Sequence, residues 1–375
     1  MPHTLSSAKA IRQPWLPRLD CYCRYCYIGG MRLRFLFLAG AILGGLLAYY
    51  ALWSHLIGRV EQAAMDFVAA ERRQGHLAEI GAMRRGGFPY RLSLRLENVA
   101  LGEKPQGDKA GWKLQADTAI AHVQLWNFQH VIFELPGRQS LTWQDAAGQK
   151  HQLSWQAQES ARASLVLDAA DTWQRVAIDL RKLRFDTDAG ANPVAEAERL
   201  QIHLRREANQ NSRDIALQIA NLSLPADWDG PLGRQVADVK LIGRLDGAWF
   251  GDDLAEKLRN WRDSGGVLEC DTLSLRWGKL SIAGDASLAL DKNFRLLGAM
   301  GGKLHGAAAG IDALAAIGRM KPEEARAAKQ ALALMEKPDA EGKPHLPLPI
   351  TAQDGRLSIA NVPLFALPPL IPAKP

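Results

Sequence analysis

Three cysteines crowd into Cys21-Tyr-Cys-Arg-Tyr-Cys26, a spacing whose chemistry would be thiolate ligation of zinc or redox exchange. A closed zinc site takes four ligands, and no fourth Cys or His stands beside these three, so the set is incomplete. Downstream only Cys270 remains, which leaves the rest of the chain without an intramolecular disulfide. Cys270 reads as a small buried hydrophobe rather than a nucleophile. Eight of the nine histidines (His55, His76, His122, His130, His151, His203, His305 and His345) lie beyond the N-terminal segment and are scattered without the i, i+4 spacing of a helical metal site. Asp252-Asp253 could act as paired carboxylates, but acids at that place also suit a helix N-terminus. No Gly-x-Ser-x-Gly elbow, phosphate loop or dinucleotide fingerprint occurs. No catalytic, cofactor-binding or metal residue is therefore assigned, and the expectation is a protein that is not an enzyme and needs no cofactor. Nine tryptophans from Trp112 to Trp277 have two readings, as core anchors of a β-domain or as aromatic lining of a groove for an acyl chain or glycan.

The net charge of +6 suggests nucleic acid until its position is considered. Lys9, Arg12, Arg18, Arg24, Arg32 and Arg34 face one acid, Asp20, before residue 35, so nearly all of the excess lies there. The remainder is close to neutral, which argues against a phosphate-binding face. Phe35 to Trp53 then runs without a charge or proline. At 1.5 Å per residue it spans about 28 Å, the thickness of a bilayer's hydrocarbon core. Tyr49, Tyr50 and Trp53 at its far end suit the headgroup layer. The poor cleavage context after the run favours an uncleaved anchor over a signal peptide. Cations before the span place the N-terminus in the cytoplasm and the main domain in the periplasm of a single-pass inner-membrane protein.

The elements follow from periodicity. Residues 1–30 carry no apolar period and read as a disordered extension, or as sequence upstream of a start at Met31. Residues 31–57 read as the signal anchor and 58–85 as a membrane-proximal helix, with apolar positions such as Val60, Ala64, Phe67 and Val68 at three-to-four spacing. Gly86-Gly-Phe-Pro ends it. Residues 86–375 read as the exported β-rich domain. Alternation with period two begins at Tyr90-Arg-Leu-Ser-Leu-Arg-Leu and recurs through more than ten short segments to Leu304. Two helical stretches interrupt it, Asp252–Arg262 and Ile311–Met335, the second split at Pro322. Lys279-Leu-Ser-Ile-Ala-Gly echoes Arg356-Leu-Ser-Ile-Ala-Asn, and the proline-rich tail from Pro363 is expected to lie extended along the domain. The fold class is mainly β with a few helices (α+β), a long antiparallel meander, curved or groove-like, behind an N-terminal transmembrane helix.

The segments Gly86-Gly-Phe-Pro-Tyr-Arg-Leu, Trp261-Arg-Asp-Ser-Gly-Gly-Val-Leu-Glu and Asp354-Gly-Arg-Leu-Ser-Ile-Ala-Asn-Val-Pro-Leu, closing on Leu367-Pro-Pro-Leu, resemble a proteobacterial family of membrane-anchored proteins classed as a domain of unknown function. The repeated strand-turn style is similar, more distantly, to AsmA-like envelope proteins. The resemblance implies an envelope location and supplies no catalytic residues. The partners expected are the lipid bilayer through residues 35–53 and a lipid or an envelope protein on the sheet, with no nucleic acid. A scaffolding role for other envelope proteins is the alternative to lipid binding.

Overall fold

The computed structural model describes residues 23–103, 111–144, 149–170, 172–186, 195–207, 211–225, 228, 230–251, 254–339, 341–347, 349–359 and 362–371. The expectation for residues 1–22, Cys21 included, lies outside them. The chain divides into two compact units, Met1–His55 and Leu56–Pro375.

Helix α1 (Cys23–Arg73) supplies the first unit. Residues 23–30, expected to lack order, are helical. From Leu33 to Ala48 the helix is exposed on all sides, with Phe37 72% exposed and Leu36 68%. An all-apolar helix surface that buries nothing against its own chain is suited to hydrocarbon. Its most apolar window has a mean hydropathy of 2.0, and it is the one helix among the described residues long and apolar enough to cross a membrane.

In the second unit the end of α1 lays Val60 and Ala64 on Leu94 and Leu96. The helix stops at Arg73, short of the expected residue 85. Gly75 turns left-handed at φ 86°, and the N–H of His76 donates to the carbonyl of Glu71 at 3.0 Å, closing the helix end. Leu77 to Gly86, whose spacing also fits a helix, finds strand partners instead and forms β1 (Leu77–Glu79) and β2 (Ala82–Gly86). Both pair with β3 (Leu92–Glu103).

A meander follows: β4 (Trp112–Gln124), β5 (Asn127–Glu134), β6 (Gln139–Gln144), β7 (Lys150–Leu167), β8 (Trp173–Asp186), β9 (Ala195–Arg206), β10 (Ser212–Ser223) and β11 (Gln235–Asp246). After α2 (Leu254–Asp263) come β12 (Val267–Trp277), β13 (Leu280–Leu290) and β14 (Leu296–His305). Helices α3 (Ala307–Ala316) and α4 (Pro322–Ala333) precede β15 (Lys337–Pro338), β16 (Pro344–Pro347), β17 (Ile350–Gln353), β18 (Arg356–Ile359) and β19 (Val362–Ala366). Every described pairing is antiparallel, and from β7 to β14 each strand pairs with the next in sequence. β5 and β6 lie end to end between β4 and β7. Gln139, 3% exposed, holds that break by donating to the carbonyls of Leu135 and Gly137, each at 3.0 Å. The two echoing segments begin β13 and β18, each just after a left-handed glycine, Gly278 and Gly355. The proline-rich tail enters as β19, paired to β18.

Several long strands slip their alternation once. In β3 the inward positions run Leu94, Leu96, then Val99 and Leu101; in β8 they run Ile178, Leu180, then Leu183 and Phe185. A single slip would send the second half of each strand to the wrong face. The extra residue absorbs it: Asn98, Lys182 and, in β10, Asn221 take left-handed φ of 52°, 51° and 49°. Both halves therefore keep their apolar side chains on one face.

At the far end of the sheet that face is covered. Ile311 of α3 and Leu332 of α4 pack with Met300, Leu304 and Ile359. Helix α4 starts at Pro322, and the backbone N–H of Lys321 donates to the Glu324 carboxylate at 2.9 Å.

Candidate functional site

Residues opposite each other in an antiparallel ladder share a face, so the register alone tells what each face presents. One row begins at Leu94 on β3 and passes through Ala121, Phe133, Ala163, Ile178, Ile202, Leu217 and Leu241 to Leu273 on β12. Every member is apolar. With strands spaced about 4.8 Å apart, this row is about 38 Å long. One position over, on the opposite face, the row reads Glu134, Arg162, Asp179, Gln201, Gln218 and Lys240. The sheet thus has an inner apolar face and an outer polar one.

The inner face is incompletely filled. A cavity of about 850 Å³ lies over β3 to β9, lined by Phe133, Trp155, Ile178 and Leu200 and, from α1, by Val60 and Phe67. Gln115 and Gln139 are the only amide side chains in its lining. A second cavity of about 450 Å³ lies between α3 and the sheet, lined by Trp228, Trp277, Leu280, Leu314 and Phe365 among others. Between the two, Leu217, Ile219, Val239 and Leu241 remain half-buried, so the apolar floor continues across the central strands. We call the whole an apolar trough.

The residues singled out in the sequence lie as follows. Of the tryptophans, Trp261 is a core anchor, 5% exposed, and its indole N–H donates to the carbonyl of Asp246 at 2.7 Å. Core reading fails for Trp112, Trp126 and Trp143, which are exposed, Trp126 to 76%. Trp155, Trp228 and Trp277 line the cavities. Trp126 sits in a two-residue connection between β4 and β5, where no second layer covers it. Cys270 is buried, and burial first, then Asp271 and Glu269, pushes its thiol pKa up. Such a thiol is a poor nucleophile.

His122 Nδ1 and the Ser93 hydroxyl are 2.8 Å apart, and His130 Nε2 and the Ser164 hydroxyl 2.9 Å. The rings of His305 and His345 lie 5.7 Å apart. Among the described residues no group of three or more His, Cys, Asp or Glu is placed to hold a metal ion. Asp252 and Asp253 fall outside the described residues.

The trough is only partly legible in the sequence. Alternation announces an apolar face, yet the slips at Asn98, Lys182 and Asn221 hide that the face is continuous. The spacing change from Leu96 to Val99 is the signal that could have revealed it.

A family model described as an uncharacterized protein conserved in bacteria, DUF2125, matches residues 53–368. No curated protein and no solved structure matches the chain.

Proposed function

The chain belongs to the DUF2125 family of bacterial proteins, and we propose that it is an envelope protein that binds an amphipathic lipid in its trough without catalysing a reaction. Its span holds it in the cytoplasmic membrane, with the N-terminus inside and the β-unit in the periplasm. The cations that precede the span support that orientation. The similarity to AsmA-like envelope proteins belongs to the same reading.

One observation carries the proposal: an unbroken apolar row across nine strands that the chain covers incompletely, Leu217 at its middle being only half-buried. Exposed apolar surface of this extent is unfavourable in water by roughly 25 cal/mol per Å² and calls for a cover. An acyl chain matches it in shape and chemistry. The covered end, where α3 and α4 sit on the same face, is what the trough becomes when the chain supplies its own cover.

The test uses the full chain in cells. A photo-crosslinking residue is placed at Leu217 on the inner face or at Gln218 on the outer one. Lipid adducts, read by mass spectrometry, are expected at 217 and not at 218. Protein adducts at 217 with no lipid would replace this reading with the scaffold, which exposed Tyr90, Trp126 and Phe250 favour.

A further inference from the structure

Along β9 and β10 the inner-face positions continue past the row already described. Ile202 is opposite Leu217, Leu204 opposite Ile215, and Arg206 opposite Arg213, with no register shift between them. Two arginines thus end the apolar floor side by side, their Cα atoms about 5 Å apart as in any antiparallel pair. The side chain of Arg206 lies over the Trp173 ring, its Cζ 4.7 Å from the centroid. Arg213 has Leu245 as its neighbour on the other side, and Leu245 is buried.

These two differ from the arginines just across the sheet. On the outer face Arg205 pairs with Asp214, and Arg244 with Asp214 and Glu207, the latter at 2.8 Å. Arg199 is bidentate with Asp179. On the inner face Arg206 Nε and Arg213 Nη1 are fully buried and have no hydrogen-bond partner among the described residues. Asp168, which feels the charge of Arg206, has its oxygens engaged by the N–H groups of Ala170 and Thr172 and by the Gln174 amide.

Two like charges held together with donors out of water are costly unless an anion shares them. Burial, and then the charge of Arg206, depress the pKa of Arg213. A guanidinium pair offers several N–H donors in a fixed plane, the arrangement that takes a phosphate or carboxylate through two oxygens.

We propose that Arg206 and Arg213 form a headgroup clamp at one side of the trough, so that its ligand is an anionic amphiphile with a phosphate or carboxylate headgroup and an acyl chain lying on the Ile202–Leu217 floor. This rests on the lipid-binding reading of the trough and specifies its ligand class. The clamp selects charge; the trough selects the chain.

The full chain in phosphatidylcholine nanodiscs is given a diazirine-bearing fatty acid or its methyl ester, and photo-adducts on trough residues are quantified. The acid should label about tenfold more than the ester, the scale of a charge-assisted hydrogen bond. In R206Q/R213Q the acid should fall to the ester's yield, whereas R205Q on the outer face should keep the preference. An unchanged ester yield in R206Q/R213Q shows the trough intact. If that yield drops, R206K/R213K serves instead, retaining both charges but losing the paired planes, and the acid's preference should shrink. Equal labelling by acid and ester in the wild type overturns the clamp and leaves the trough standing. No labelling by either overturns the trough reading itself. Excess inorganic phosphate that abolishes the acid's preference would assign the arginines to a free anion and overturn the headgroup proposal.

Discussion

The two ends of the sheet are built from the same kind of strand and solve the same problem differently. Over β12 to β19 the inner face meets α3 and α4, and Leu304, Ile311 and Leu332 are 4%, 3% and 1% exposed. Over β10 and β11 the equivalent positions, Leu217 and Val239, lie outside both the cavity that α1 helps to line and the one beneath α3, and they remain half-buried. An apolar sheet face is therefore not by itself a core. It becomes one where the chain supplies a second layer, and a binding surface where it does not.

Four substitutions or conditions test this contrast, from the largest effect to the smallest. Leu332→Ala in the covered half removes a fully buried side chain, so chemical denaturation should show a loss of about 2–5 kcal/mol. A loss near zero would mean that α4 is not part of the core. Asn98→Val places a β-branched residue in a left-handed position that a slip in alternation requires. The expected loss is about 1–2 kcal/mol, while Asn98→Gly should be close to neutral. If the valine variant is equally stable, the slip does not hold the face together.

Leu217→Ala in the open half should cost less than Leu332→Ala, about 1 kcal/mol, since the side chain is only half-buried. Its lipid adducts should nevertheless fall. The reverse outcome, large destabilisation with unchanged adducts, would make the trough an ordinary core.

The smallest effect concerns His122. Burial, followed by the charge of Arg91, holds its pKa below the ordinary value of 6.5. The folded protein thus prefers the neutral ring, and the stability this brings is complete above pH 6.5. Below that value the unfolded chain takes the proton first, and stability declines until the pH reaches the folded pKa. Denaturation midpoints measured from pH 7.5 down to 5 should fall less steeply in His122→Asn.

How much of this was legible in the residues varies with the range of the forces involved. The anchor is a matter of composition, since nineteen residues from Phe35 to Trp53 without charge or proline suffice. The split of the late helical stretch at Pro322 follows from one missing N–H. The end of α1 at Arg73 is not legible, because Leu77 to Gly86 fits a helix locally and becomes strand only through pairing with β3. The core reading of Trp112, Trp126 and Trp143, one of two open for the tryptophans, rests on the large area such rings can bury. Whether a second layer lies over a given ring is not a local property.

The sequence by itself determined that an apolar helix precedes a long antiparallel meander with one apolar face, because both follow from charge and period along the chain. Only the tertiary structure decided that the slipped halves share one face, that α3 and α4 cover one end of it, and that Arg206 and Arg213 meet beside the uncovered floor. Those outcomes depend on register between strands far apart in sequence, and period two carries no information about which residue will be opposite which.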